Sequence, residues 1–207
     1  MNKACILVLS RYADLFKGFQ ENVDAMAPLT PKCLVRSGSE ITAKSQGQWM
    51  VLQGPEPFVF SKSVNLGLKS SGKHDIILVG DDVRFLTQGF VEKFRNIAYS
   101  DPKIAVVVPK VEPKGGSIFI CCYIRRDVIT SVGPLDERFD KYGYDDVDFY
   151  TRYESMGYHT QPTDTVVVSH PTSGTSYFRR QDNEGAPNVM AECAEMQKKF
   201  EEKWGKK

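Results

Sequence analysis

Several stretches of this chain are apolar without a break, among them CILVL at 5–9, IILV at 76–79 and IAVVV at 104–108. Each is far too short to cross a membrane, which takes about 20 such residues. None alternates apolar with polar, as a strand with one wet face would. A short solid run reads as a strand buried on both faces, and such strands belong to a mostly parallel sheet with helices packed on each side. Strands are expected over 4–9, 33–35, 75–79, 104–108, 117–124 and 165–168. Helical patterns fall between and after them, over 61–69, 88–99, 126–131, 146–156 and 188–204. The polar segment SGTSYFRRQDNEGA at 173–186 reads as a loop before the last helix. A length of 207 residues suits a single α/β domain, and 41% hydrophobic content is enough to fill its core.

Charge narrows the partners. Lys and Arg number 27 against 26 Asp and Glu, a net charge of +1, so no global attraction to nucleic acid or to an anionic membrane is indicated. The N-terminal stretch MNKACILVLSRYADLF meets charge too soon to read as a signal peptide. The five cysteines form no CxxC and no Cys/His zinc spacing. Cys121 and Cys122 are neighbours on an expected strand and so point to opposite faces. Free, buried thiols and the lack of a span lead to the expectation of a cytoplasmic protein. In the last helix Val189, Cys193, Met196, Phe200 and Trp204 form one apolar stripe. Its opposite face carries several Glu as well as Lys, which favours packing on the domain over lying on a membrane.

Two acidic clusters carry the chemistry. The run DIILVGDD ends in Asp81 and Asp82. In an open parallel sheet, ligands bind beyond the carboxyl ends of the strands. Paired carboxylates there suit a divalent cation that keeps sites open for phosphate oxygens, or they cap the next helix; both readings stand. The second cluster, YGYDDVDFYTR, places Asp145, Asp146 and Asp148 at the start of a helix. Asp145 reads as the N-cap. Asp148 reads as a first-turn acid that pairs with Arg152 four residues on. Asp146 is left over: an anion at a helix start, suited to act as a general base if it faces the ligand crevice. Tyr142 and Tyr144 beside it can line a sugar site or simply pack.

In sequence order, five segments resemble the family 2 glycosyltransferases, which have the GT-A fold, a Rossmann-type mixed, mostly parallel sheet flanked by helices. They are SVNLGLKSSGKHDIILVGDDV (63–83), GSIFICCYIRRDVITSVGPLDERF (116–139), YGYDDVDFYTRYESMGY (142–158), VVVSHPTSGTSY (166–177) and FEEKWG (200–205). The resemblance implies a donor half over 1–110, an acceptor and catalytic half over 111–185 and a C-terminal helix over 186–207. It sets Asp82 on the last position of the family's DxD motif, as metal ligand, and Asp81 on the middle one. It sets Asp146 on the catalytic base, with Asp145 where the family usually has Glu, and His170 on a further metal or diphosphate contact. Ser10, Arg36, Asn65 and Asp81 fall on the donor side, and Arg179 and Arg180 would clamp the diphosphate from the polar loop. The implied cofactor is Mn²⁺ or Mg²⁺, and the implied donor is a nucleotide sugar, a UDP-sugar foremost. The implied reaction is an inverting transfer of a hexosyl type to an acceptor hydroxyl of open identity.

Two positions depart from the family pattern. Gly80 stands at the first DxD position. Arg36 stands where the family usually has an aspartate that reads uracil, while Ser37, Gly38 and Ser39 keep the rest. Two rival readings follow. A nucleotidyltransferase would need a Gly-rich basic loop, for which SRYADLFKG is a poor match. A catalytically degenerate carbohydrate- or partner-binding module would not need Asp82, Asp146 and His170 together.

Overall fold

The computed structural model describes residues 3–38, 44–45, 47–113, 117–171 and 189–205. The solid apolar runs find burial on both faces of one eight-stranded sheet, ordered β3-β2-β1-β4-β7-β6-β8-β5. The strands are β1 (Ala4–Ser10), β2 (Lys32–Arg36), β3 (Trp49–Gln53), β4 (Asp75–Gly80), β5 (Arg84–Phe85), β6 (Ile104–Glu112), β7 (Cys121–Ile124) and β8 (His159–Ser169). β3, β2, β1 and β4 run parallel. β7 is inserted in the reverse direction between β4 and β6, β8 runs parallel to β6, and β5 closes the far edge antiparallel to β8.

The helices are α1 (Ala13–Met26), α2 (Phe60–Ser70), α3 (Phe90–Ala98), α4 (Arg126–Val132), α5 (Asp145–Ser155) and α6 (Val189–Trp204). One face of the sheet packs Ile6, Val8, Ile77 and Val79 against Phe16, Phe19 and Val23 of α1 and Phe90 and Phe94 of α3. The other packs Leu7, Leu9 and Leu78 against Val64 and Leu68 of α2, Val128 of α4, and Phe149 and Tyr153 of α5. Alternate residues of β1 and β4 thus enter opposite cores, which is why their sequences show no polar position. Cys121 lies in the first core and Cys122 in the second, as their adjacency on a strand requires. The apolar stripe of α6 also faces inward: Val189 and Met196 are buried, and Phe200 packs on the Tyr144 ring. Among the described residues no helix is long and apolar enough to cross a membrane.

Differences from the expected elements have local causes. Residues 118–120 form a 3-10 turn rather than the start of a strand, because the Ser117 hydroxyl accepts the Phe119 N–H at 3.1 Å. β8 begins at His159, several residues before the expected 165, because the polar segment before its apolar core pairs with β6. α1, β3 and the two-residue β5 were not anticipated. α1 ends on Lys32, whose buried ammonium donates to the Ala27 and Thr30 carbonyls at 2.8 and 3.1 Å and pairs with Asp24. A lysine on the last carbonyls of a helix stops it without a glycine. The loop expected at 173–186 lies outside the described residues.

Candidate active site

Because β3, β2, β1 and β4 are parallel, their carboxyl ends share one edge, and the first acidic pair sits there. Asp81, just past β4, is 2% exposed and accepts a 2.5 Å hydrogen bond from the Ser10 hydroxyl at the end of β1. Burial pushes its carboxyl up to about 7; the Ser10 hydrogen bond opposes this and the charge of Asp82 adds to it. Two residues expected at the donor are thus bonded to each other, holding the ends of adjacent strands together.

Asp82, 8% exposed, has its carboxylate 3.5 Å from His170 Nε2. His170 is held there by its own N–H, which donates to the Glu112 carbonyl at 2.9 Å, directly after β8. Gly80 lies close against the same arrangement. A Cβ at this position would fall 2.8 Å from Asp82 Oδ1. The glycine at the first DxD-like position therefore leaves room for the Asp82 carboxylate. Under the pair lies Arg84, which donates to the Asp81 and Val83 carbonyls at 3.0 and 2.8 Å. It packs on α1 at Gly18, where a Cβ would sit 2.5 Å from Nη2. Sequence reasoning missed Arg84; the signal was a cation following two acids in DDVR.

The second cluster is aimed by backbone geometry. Gly143 and Tyr144 both have positive φ, 98° and 67°. For a residue with a Cβ the left-handed region costs about 1–2 kcal/mol, which the packing of the Tyr144 ring on Phe200 offsets. Tyr144, not Asp145, occupies the N-cap position and provides no side-chain cap. This corrects the expected capping role: Asp145 is the first residue of α5, and its carboxylate accepts the Asp146 N–H at 3.0 Å. Burial pushes Asp145 up to about 7, and the Asp146 charge adds to the shift. Asp146 is held by both oxygens, one accepting the Val147 N–H at 2.8 Å and the other the Ser117 hydroxyl at 2.7 Å. Asp148 is fully buried. It bonds to Arg152 at 3.0 Å, as the four-residue spacing implied, and also to Lys203 at 2.6 Å and Trp204 Nε1 at 2.9 Å.

Ser117 joins the two clusters. It opens the 3-10 turn Ile118–Ile120, whose last carbonyl lies 3.8 Å from the Cβ position of Gly80. Such a turn advances about 2 Å per residue, so the serine that holds Asp146 stands roughly one turn from the end of β4. Nothing in the sequence reading singled Ser117 out; its place before an apolar strand was the one available signal.

Asn65 and Arg36 make hydrogen bonds of their own. The Asn65 amide donates to the Leu135 carbonyl and to Glu137, each at 2.9 Å, and its oxygen accepts the Leu135 N–H at 2.9 Å. Asn65 therefore ties α2 to the turn after α4. Arg36 ends β2 and donates through Nε to Gln53 Oε1 at 3.1 Å. Arg179 and Arg180 lie outside the described residues.

Among the described residues no three His, Cys, Asp or Glu side chains converge as a metal site. Asp82 and His170 nevertheless form a pair of one oxygen and one nitrogen donor at the sheet edge. That donor chemistry fits a small divalent cation such as Mn²⁺, with its other positions taken by phosphate oxygens and water.

No family model matches the chain, and no curated protein matches it. Solved structures do. It is similar to the mannosyltransferase PcManGT from Pyrobaculum calidifontis in complex with GDP-Man and Mn²⁺, at 14% identity and a TM-score of 0.65, over 86% of this chain and 59% of that one. It is similar to GalNAc-T7 with UDP, GalNAc and Mn²⁺, at 10% identity and a TM-score of 0.69, over 82% of this chain and 44% of that one. It is also similar to the catalytic domain of Drosophila β1,4-galactosyltransferase 7 in complex with xylobiose, at 16% identity and a TM-score of 0.61, over 92% of this chain and 79% of that one. The chain thus spans about three fifths of the first of these and under half of the second. At such identities the likeness is one of fold, and the fold is GT-A.

Proposed function

We propose that this chain, whose fold is that of the GT-A glycosyltransferases, moves a sugar from a nucleotide-sugar donor to an acceptor hydroxyl with the help of Mn²⁺ or Mg²⁺. The observation that carries this reading is the 3.5 Å approach of Asp82 and His170, from strands far apart in sequence. The edge where they meet also carries Ser117, the residue that holds Asp146. The nucleotides and Mn²⁺ bound to the mannosyltransferase and to GalNAc-T7 support the same reading.

In this mechanism the donor lies across the carboxyl ends of β2, β1 and β4. Asp82 and His170 would hold the cation, whose charge would offset that of the diphosphate leaving group. Asp146 takes the proton of the acceptor hydroxyl, its orientation fixed by Ser117 and the Val147 N–H. The acceptor oxygen bonds to the anomeric carbon from the face opposite the diphosphate. The carbon–oxygen bond to the diphosphate breaks with its electron pair, so the configuration inverts. Arg179 and Arg180 are proposed to contact the diphosphate. A UDP-sugar, the donor implied by the family resemblance, meets a changed residue in Arg36.

The test is thermal unfolding of the full chain with Mn²⁺ and a panel of nucleoside diphosphates and nucleotide sugars, with slow donor hydrolysis as second readout. A ligand at 100 times its Kd stabilises by about 2.7 kcal/mol. At about 2–4 °C per kcal/mol for a chain of this size, the midpoint rises by roughly 5–10 °C. Asp82→Asn abolishes the metal-dependent part of that rise. Asp146→Asn keeps it and loses hydrolysis. If no nucleotide raises the midpoint with Mn²⁺, or Asp82→Asn leaves the rise intact, the transferase reading fails.

A further inference from the structure

The turn into α5, which carries Asp146, is set by contacts from outside it. Tyr144 is the N-cap residue without a side-chain cap, and its φ is 67°. A residue with a Cβ persists in that region only where its surroundings hold it there. Here those surroundings belong to α6. The Phe200 ring packs on Tyr144 with centroids 5.5 Å apart. A Cβ on Gly143 would fall 3.3 Å from Cys193 Sγ and 3.9 Å from Cys193 Cα, so the helix passes close to this glycine. Past Asp146, the buried Asp148 carboxylate accepts from Lys203 Nζ at 2.6 Å and from Trp204 Nε1 at 2.9 Å.

The same helix reaches the approach to the turn. Lys203 bonds to Asp136 at 2.8 Å, and Lys199 bonds to the Arg138 carbonyl at 2.9 Å and to Asp140 at 2.6 Å. Lys141 pairs with Glu195 at 2.5 Å. The pairs made by Lys199 and Lys141 stand in solvent, where each is worth little. The Asp148 carboxylate and the ring contact carry the weight, because a buried charge without its partner is costly and two rings cover much apolar area. Asp146 thus lies between two points that α6 grips, residue 144 on one side and residue 148 on the other. Its carboxylate also meets the Ser117 hydroxyl, but one such bond orients a side chain and does not place the backbone beneath it.

We propose that α6 is a positioning element for the base, in which Phe200, Lys203 and Trp204 set the place of Asp146 through residues 144 and 148. The inference rests on the transferase reading above and adds the C-terminal helix to its machinery. The contacts named fall on 136–148, whereas Asp82 and His170 stand just past β4 and β8. The helix therefore governs turnover and leaves metal and nucleotide binding alone. A misplacement of about 1 Å in a reacting group can cost about 100-fold in rate.

The test uses the full chain with Mn²⁺ and the nucleotide sugar that raises the melting midpoint most. Donor hydrolysis is one readout and hydrogen exchange at 143–148 the other. Phe200→Ala and Lys203→Met each lower kcat for hydrolysis by about 10- to 100-fold. Each leaves KM and the Mn²⁺-dependent midpoint rise unchanged, and speeds exchange at 143–148 more than in β1 and β4. Phe200→Leu and Lys203→Arg regain most of the rate. Tyr144→Gly separates placement from stability. Glycine adopts this φ freely, so the midpoint of the variant moves little, yet the ring is gone and kcat falls as in Phe200→Ala. Circular dichroism confirms folding, and if Phe200→Ala does not fold, Lys203→Met and Tyr144→Gly decide. Parent rates in these variants, a midpoint rise lost together with the rate, or exchange at 143–148 no faster than in the sheet overturns the inference and leaves the transferase reading standing. If the parent binds a nucleotide sugar without hydrolysing it, exchange at 143–148 decides alone. If no nucleotide raises the parent's midpoint, the donor reading falls and takes this one with it.

Discussion

Asp145 stands beside the charge of Asp146, and burial holds its proton to about pH 7. Asp81 behaves in the same way at the other end of the site. An aspartate in the unfolded chain ionises near pH 4. Between about pH 4 and pH 7 the folded chain therefore binds more protons than the unfolded one, and these two groups lower stability as pH rises through that window. Asp145→Asn removes its share. The melting midpoint at pH 8 rises by about 2–4 °C for each kcal/mol relieved, and at pH 4 the variant and the parent coincide. A midpoint at pH 8 no higher than the parent's would show that Asp145 is ionised without cost. At this scale the sequence announced the acids but not their partners. Asp81, Asp82, Asp146 and His170 are legible as residue types in suggestive places. Ser117 and Arg84 are not, because a serine or an arginine acquires its role only from what folds against it.

The packing of α2 on β1 turns on one glycine. A Cβ at Gly67 would stand 2.3 Å from Leu7 Cδ1 and 3.1 Å from its Cγ, and Leu7 is fully buried. Gly67→Ala overpacks this contact and destabilises by about 1–3 kcal/mol. Leu7→Ala alone opens a cavity and costs about 2–5 kcal/mol. Combined, the two cost less than their sum, because the new methyl enters the space the leucine leaves. Urea unfolding of the four proteins checks this, and additive losses would mean that α2 shifts bodily instead. The elements themselves were readable wherever a run was solidly apolar or strongly periodic. β5 escaped because two residues make no pattern. α1 escaped because Gly18 interrupts its apolar face, an interruption explained by the Arg84 guanidinium lying against it.

On the scale of the molecule, α6 is fastened to the acidic cluster. Asp148 joins Arg152 of its own helix to Lys203 and Trp204 of α6, and Lys203 also reaches Asp136 at 2.8 Å. Arg138 and Lys203 hold the Asp136 carboxyl well below the usual range. Removing one partner of a buried ionic network costs about 3–5 kcal/mol. Asp148→Ala therefore lowers the melting midpoint by roughly 6–20 °C at 2–4 °C per kcal/mol. It also speeds hydrogen exchange in 189–204 more than in the sheet. Uniform acceleration across the chain would show that α6 is no separate unit. The sequence by itself determined the class of this protein: solid apolar runs between helices admit few arrangements other than a sheet covered on both faces, since strands with no polar side must be buried on both. It also determined that acids end β4 and begin α5. Only the tertiary structure decided which acids face the shared edge, and that Asp81 is bound to Ser10 and Asp148 to α6. Those outcomes depend on strand order and on contacts between residues tens of positions apart, which local spacing along a chain does not encode.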